Sequence, residues 1–255
     1  MHVNDGPKKL LQPAPMLLYR IAAHPHGEDA FERFASAMLP SSCDDALVAR
    51  LRALAQPLAG EAGDRLLEDT EEDRIVFLAE GATKLAAHAS SDREQVVAFH
   101  FTGDLVPFPA RAAHAYALCA LLPSALLVFP AAGFLDLARD EPAMLDLVLR
   151  RALTALHRSR EKAVALGRKT APERVAGFLV SMATRIGEAD DDGCTLHLPM
   201  SRRDIADSLG LTIETISRQF GELRDLGLIE TSGRSLVRLR DVARLEQRAA
   251  HLSAA

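Results

Sequence analysis

From Glu141 the chain reads EPAMLDLVLRRALTALHRSREKAVALGRK, with no helix breaker between Pro142 and Gly167. Leu145, Leu149, Ala152, Leu156, Ser159, Ala163 and Leu166 alternate spacings of four and three, an a/d seam of about three heptads. Pro142 suits the first turn of a helix and Gly167 its C′ position. A helix of this length either zips to a second copy of itself or lies along its own domain. Ser159 and the two alanines weaken the seam but let two helices approach closely.

This helix divides the chain. Residues 1–60 read as an N-terminal helical and coil extension, with Phe31, Phe34, Ala35 and Met38, then Leu47, Leu51 and Leu54, at helical intervals. Residues 61–140 change character. RIVFLAEGATKLAAHA, QVVAFHFTGDLVPFP and SALLVFP are short apolar runs broken by Gly, Asp, Ser and Pro, as in a compact β domain with tight turns at Glu80-Gly81 and Gly103-Asp104. Residues 141–167 are the long helix, and 168–255 form a further domain opening on TAPERVAGFLVSMATRIG. There Thr170 and Glu173 make a capping-box pattern, and Val175, Phe178, Leu179, Met182 and Ile186 make one apolar stripe.

The net charge of −5 does not mark a nucleic-acid binder, but its distribution is uneven. Gly60–Asp73 is acidic. Arg150–Arg174 carries Lys or Arg at 150, 151, 158, 160, 162, 168, 169 and 174 against only Glu161 and Glu173. No apolar run is long enough to span a bilayer, and the N-terminus lacks the continuous apolar segment of a signal peptide. Cys43, Cys119 and Cys194 are too few and too scattered for a disulfide framework, which suits a cytoplasmic protein. There is no P-loop, Gly-x-Ser-x-Gly, His-Glu-x-x-His or dinucleotide fingerprint, so an enzyme is not expected.

The most informative stretch is SRRDIADSLGLTIETISRQFGELRDLGLI, Ser201–Ile229. Leu196–Met200 reads as a short strand, and Ser201 with Asp204 as an N-cap. Ile205, Ala206 and Leu209 face inward, Gly210 permits a tight turn, and Thr212 caps a second helix whose inner side is Ile213, Ile216, Phe220 and Leu223. That is the helix-turn-helix plan, whose second helix lies in the major groove of duplex DNA. Glu214, Ser217 and Arg218 lie away from the apolar side at i, i+3 and i+4. Arg can bond bidentately to guanine and Glu can accept from cytosine N4. The same spacing also allows an exposed Glu214–Arg218 pair with no partner outside the helix. Ser201, Arg202, Thr212, Thr215 and Arg234 are candidate DNA-backbone contacts, and LIETSGRSLVRLRD alternates like a hairpin turning at Ser232-Gly233, with Arg234, Arg238 and Arg240 along it.

LPMSRRDIADSLGLTIETISRQF resembles the helix-turn-helix of the Crp/Fnr superfamily of bacterial transcription regulators, and GRKTAPERVAGFL resembles the segment after the dimerisation helix in its Fnr/FixK branch. The resemblance spans roughly residues 60–245. It implies an α+β chain with an N-terminal β-roll sensor domain like cyclic-nucleotide-binding domains, a long dimerisation helix and a C-terminal winged helix-turn-helix domain. It further implies a homodimer on an inverted repeat close to TTGAT-N4-ATCAA, with Glu214, Ser217 and Arg218 reading bases, and contact with RNA polymerase.

The resemblance does not extend to the family's effectors. Members that bind cyclic nucleotides place Gly-Glu after the Gly-Asp turn and use an Arg-Ser pair for the phosphate. Here LVPFPARAAH follows Gly103-Asp104, and Arg111 has no adjacent serine. The two cysteines before the long helix cannot assemble an iron–sulfur cluster. No cofactor is expected. The alternatives are haem or a metal held by His24 and His26 with His100 or His114, a redox role for Cys194, or control by abundance or a partner protein.

Overall fold

The computed structural model describes residues 27–249 except 69, 91–92, 111–113 and 191–192. His24, His26, Arg111 and the first 26 residues lie outside the described residues. The chain opens with helices α1 (Gly27–Met38) and α2 (Asp45–Leu54). Eight strands follow: β1 (Gln56–Gly60), β2 (Arg65–Glu68), β3 (Arg74–Glu80), β4 (Ala82–Ser90), β5 (Arg93–Phe101), β6 (Leu105–Phe108), β7 (Ala115–Ala120) and β8 (Ser124–Pro130). They form two antiparallel sheets, ordered β1-β8-β3-β6 and β2-β7-β4-β5.

The apolar runs are short because each strand is buried for only a few residues before a turn. Val76, Leu78, Val106, Leu118, Leu126 and Val128 fill the space between the sheets. β3 is buried on both faces, which is why RIVFLAE reads as continuous rather than alternating. Its other face, through Ile75 and Phe77, meets α1 and α3 (Ala131–Ala138). Phe34 of α1 is fully buried there, with ring centroids of Phe77, Phe129 and Phe134 at 5.4, 5.1 and 6.2 Å. The β3–β4 turn needs Gly81: φ is 97°, and a Cβ there would come within 2.3 Å of Ser124 Oγ.

The boundary expected at residue 60 therefore falls one strand late. β1 pairs with β8 from Gln56 to Gly60, and α1 and α2 cover the β domain rather than extending from it. The sequence pattern missed β1 because QPLAG lacks an apolar alternation.

Helix α4 runs from Pro142 to Arg168, capped by Glu141, whose side chain accepts from Ala143 N. Gly167 lies inside its last turn rather than at C′. The terminal carbonyls are satisfied by Arg174, which donates to Leu166 O at 2.8 Å and Lys169 O at 2.9 Å. A cation thus replaces the glycine cap.

The C-terminal domain comprises α5 (Ala171–Ile186), β9 (Gly187–Asp190), β10 (Gly193–His197), α6 (Arg202–Leu209), α7 (Ile213–Asp225), β11 (Ile229–Ser232), β12 (Leu236–Leu239) and α8 (Val242–Ala249). Its sheet is ordered β11-β12-β10-β9. The strand expected at Leu196–Met200 begins and ends three residues earlier, and it pairs with β9. Among the described residues no helix is long and apolar enough to cross a membrane.

Phe34→Ala should cost about 3–5 kcal/mol, because it empties the centre of a five-phenylalanine cluster whose backbone is held by the sheet. Thermal and urea unfolding of the variant measure this.

Candidate DNA-reading surface

The two short helices are set by their ends. Ser201 caps α6, and the Asp204 carboxylate accepts from Ser201 N at 2.8 Å in return. Gly210 ends α6 at φ 62° and ψ 42°, a left-handed conformation that lets the chain turn sharply into α7. Thr212 Oγ1 then accepts from Thr215 N at 3.2 Å. Ile216, Phe220 and Leu223 of α7 are buried against a core that includes Ile205, Ala206, Val175 and Leu179.

With that side buried, Glu214, Ser217 and Arg218 are all exposed on the opposite side of α7. Glu214 does not pair with Arg218. Its own backbone N–H and the Thr212 hydroxyl, at the helix N-terminus, hold its carboxyl below the ordinary value. Arg218 Nε stands 4.0 Å from Glu222 Oε1, and its side chain is 67% exposed. A contact that long and wet costs little to break, so the guanidinium is available to a partner.

The expected backbone-contact set divides. Ser201, Thr212 and Arg234 are exposed and Thr215 half-exposed, at the N-termini of α6 and α7 and in the β11–β12 turn. Arg202 differs from the expectation of a free phosphate contact. Its guanidinium lies 3.5 Å above the Phe220 ring, with Nη1 buried and unpartnered. Burial and then nearby Arg224 push its pKa down to about 10. Arg202 therefore locks α6 to α7 through a cation–π contact. Arg238 bonds Asp190 at 2.9 Å and Arg240 bonds Glu230 at 2.6 Å, so along the hairpin Arg234 projects at the turn while its neighbours are tied into the sheet.

The seam residues on α4 also divide. Leu145, Leu149, Ala152, Leu156, Ser159 and Ala163 are exposed, while Leu166 is half-buried with its methyl near Gly210. Leu153 and Val164, absent from the expected seam, are 56% and 51% exposed. Leu149, Leu153, Leu156, Arg160, Ala163 and Gly167 make a neighbouring stripe with the same alternation of spacings, rotated from the expected one, whereas Ser159 lines a cleft on the helix flank.

That cleft, about 780 Å³, lies between β5, the Gly103-Asp104 turn, α4 and α5. Asp104 pairs with Arg185 at 2.7 Å, and Arg151 donates to Gly103 O. His100 Nε2 is buried without a partner, and its Nδ1 is 4.0 Å from Asp104. Desolvation is the main cause that lowers His100 to about 4, with Arg185 and Arg158 adding to it and Asp104 opposing. Among the described residues no three His, Cys, Asp or Glu side chains gather in a metal-binding group. Val106 and Phe108, just after the Gly-Asp turn, are buried in the roll. Cys194 is buried too, its thiol pushed up by desolvation and then by Asp190 and Glu188, a setting that opposes thiolate formation.

Sequence reasoning missed the contacts that join the reading domain to the β domain. Lys84 bonds Glu94 at 2.7 Å and Asp204 at 2.9 Å, and Phe99 stacks edge-on to Phe178. Lysines and glutamines offered no periodic signal for partners more than a hundred residues away.

Residues 173–248 match the Crp-like helix-turn-helix domain family. The nitrogen fixation regulation protein FixK of Rhizobium meliloti is 35% identical over 174 residues, 68% of this chain and 74% of the relative. The transcriptional activator protein FnrL of Cereibacter sphaeroides is 30% identical over 212 residues, 81% of this chain and 86% of the relative. The solved structure of FixK2 from Bradyrhizobium japonicum superposes with a TM-score of 0.66 at 30% identity, covering 79% of this chain and 99% of that one.

The capping box and the Lys84 bridge share Asp204. Burial opposes its charge, but bonds from Ser201 and Lys84 outweigh that and hold its carboxyl below the ordinary 3.8. A depressed carboxyl stabilises the fold at pH above its unfolded value, and that stability is lost as pH falls through the folded value. Asp204→Asn should therefore cost on the order of 2 kcal/mol at pH 7 and nothing once the wild-type carboxyl is protonated. Urea melts of both proteins from neutral pH into the acid range should converge.

Proposed function

We propose that this chain, which belongs to the Crp/Fnr family of transcription regulators in its Fnr/FixK-like branch, acts as a homodimer on an inverted repeat close to TTGAT-N4-ATCAA. The observation that carries the reading is the exposed Glu214, Ser217 and Arg218 set on a helix whose other side is buried. A TTGAT half-site has one G·C pair, which offers Arg218 a guanine O6 and N7 and Glu214 a cytosine N4. Ser201, Thr212, Thr215 and Arg234 flank that set and suit phosphates on either side.

Dimerisation uses α4. Leu149, Leu153 and Leu156 are 56%, 56% and 45% exposed on a stripe facing away from the chain's own sheets. Each buried leucine contributes about 1.5–3 kcal/mol, so a self-paired helix recovers substantial apolar area. Twofold symmetry then sets two α7 helices about one DNA turn apart. Contact with RNA polymerase through the β domain would make the bound dimer an activator.

The reading includes no cyclic nucleotide, iron–sulfur cluster or haem. Where a phosphate-binding Gly-Glu would stand, Pro107 and the buried Phe108 occupy β6, and Phe108 is part of the roll's core. Calorimetry with cAMP should give no heat of binding, and clear micromolar affinity would overturn this part.

Arg218→Ala should cost about 1–3 kcal/mol at the cognate repeat and relax its G·C preference. Equal losses on every sequence would make Arg218 a phosphate contact instead. Leu156→Asp, at a position already exposed in the chain, should sediment as a monomer and lose operator binding. A surviving dimer would move the interface off α4. Selection of sites from random duplexes tests the operator directly.

A further inference from the structure

We propose that Lys162 is a positioning residue that fixes the rotation of the reading domain about the dimerisation helix, and so sets the spacer length between half-sites that the protein accepts. This rests on the dimeric reading above.

Lys162 lies on α4, on the flank opposite Leu149 and Leu156. Its ammonium donates to Val96 O at 2.7 Å and Val97 O at 2.9 Å, both on β5, and to Ser208 Oγ at 2.9 Å on α6. One cation therefore bonds the dimerisation helix, the sensor sheet and the helix-turn-helix together. Among the described residues it has no carboxylate partner. Desolvation pushes it down to about 8. Lys162 is half-buried among neutral acceptors, and an aliphatic side chain of similar length would occupy the same position without the cost of desolvating a charge.

The acceptors lie where orientation is decided. Only Lys169 and Thr170 separate α4 from α5, so the reading domain hangs from the dimerisation helix on a two-residue link. The end of α6 beside that link is held from three sides. Gln95 Nε2 donates to Asp207 O and to Ser208 O, the latter at 3.4 Å. Arg174 Nη1 donates to Leu209 O at 2.9 Å, and Lys162 takes the Ser208 hydroxyl. Two cations at a helix C-terminus also complement its dipole. Rotation about residues 169–170 must break the Lys162–Ser208 bond, because Lys162 stays with α4 and β5 while Ser208 moves with the reading domain.

In a twofold dimer that rotation is felt at the DNA. Adding one base pair between half-sites moves them apart by about 3.4 Å and turns them by about 35° relative to each other. A reading domain pinned by Lys162 cannot follow such a change, and one released from it can.

The test measures binding of the full chain to duplexes with TTGAT half-sites as inverted repeats, with spacers from about two to six base pairs. Wild type should prefer four. Lys162→Met, which keeps length and removes the charge, should lose that preference by about tenfold while keeping the G·C preference within a half-site and sedimenting as a dimer. A variant that is merely less stable would weaken on all spacers equally, and that outcome overturns the proposal, as does an unchanged spacer preference. Should Lys162→Met fail to fold by circular dichroism, Gln95→Leu, which loosens the same end of α6 from β5, is read in the same series. A wild type that binds no inverted repeat would overturn the dimeric reading itself, whereas a sharp wild-type preference retained in both variants overturns the positioning role alone.

Discussion

Helix α4 has to satisfy two environments at once, and the arrangement of the chain follows from how it does so. One side packs Met144 and Val148 on the β domain and sends Arg151 to Gly103 O and Lys162 to β5. The other presents the exposed Leu149, Leu153 and Leu156. Because a helix is rigid over this length, any partner on the outer side is fixed relative to the sheet and the reading domain on the inner side. The β roll, the α4–α5 link and the helix-turn-helix can then be understood as attachments to one rod.

The attachments differ in chemistry. The β domain holds the rod through an apolar core. The reading domain shares an apolar core with β4 and β5 through Ala82, Val96, Phe99 and Phe101. Side-chain bonds surround that core: Lys84 to Asp204, Arg185 to Asp104, Gln95 and Lys162 to the end of α6. Polar joints of this kind are directional and carry modest net energies, so they specify an orientation more than they add stability.

Much of this was legible in the residues. Ser201 with Asp204, Gly210 and Thr212 announce two helix starts and a left-handed turn in twelve residues, because capping and positive φ are local and depend on few side chains. The outward direction of Glu214, Ser217 and Arg218 follows from the periodicity of Ile216, Phe220 and Leu223. The exposure of Leu145, Leu149, Ala152 and Leu156 along α4 was legible in their spacing. A strict seven-residue repeat drifts about 20° per heptad on a straight helix, so Ser159 and Leu166 rotate off the stripe that begins at Leu145 and Leu149. Arg202 reads as a phosphate contact until Phe220 is seen beneath it, and Lys162 reads as one more solvated cation. Nothing in either neighbourhood encodes a contact that only the folded chain creates.

The uncovered leucines on α4 have a consequence for dosage. On the proposed pairing of α4 with a second copy, the amount of functional regulator would scale with the square of chain number when chains are scarce. Promoter occupancy would then rise steeply with synthesis and fall steeply with proteolysis, so that the supply of the polypeptide becomes a signal in its own right.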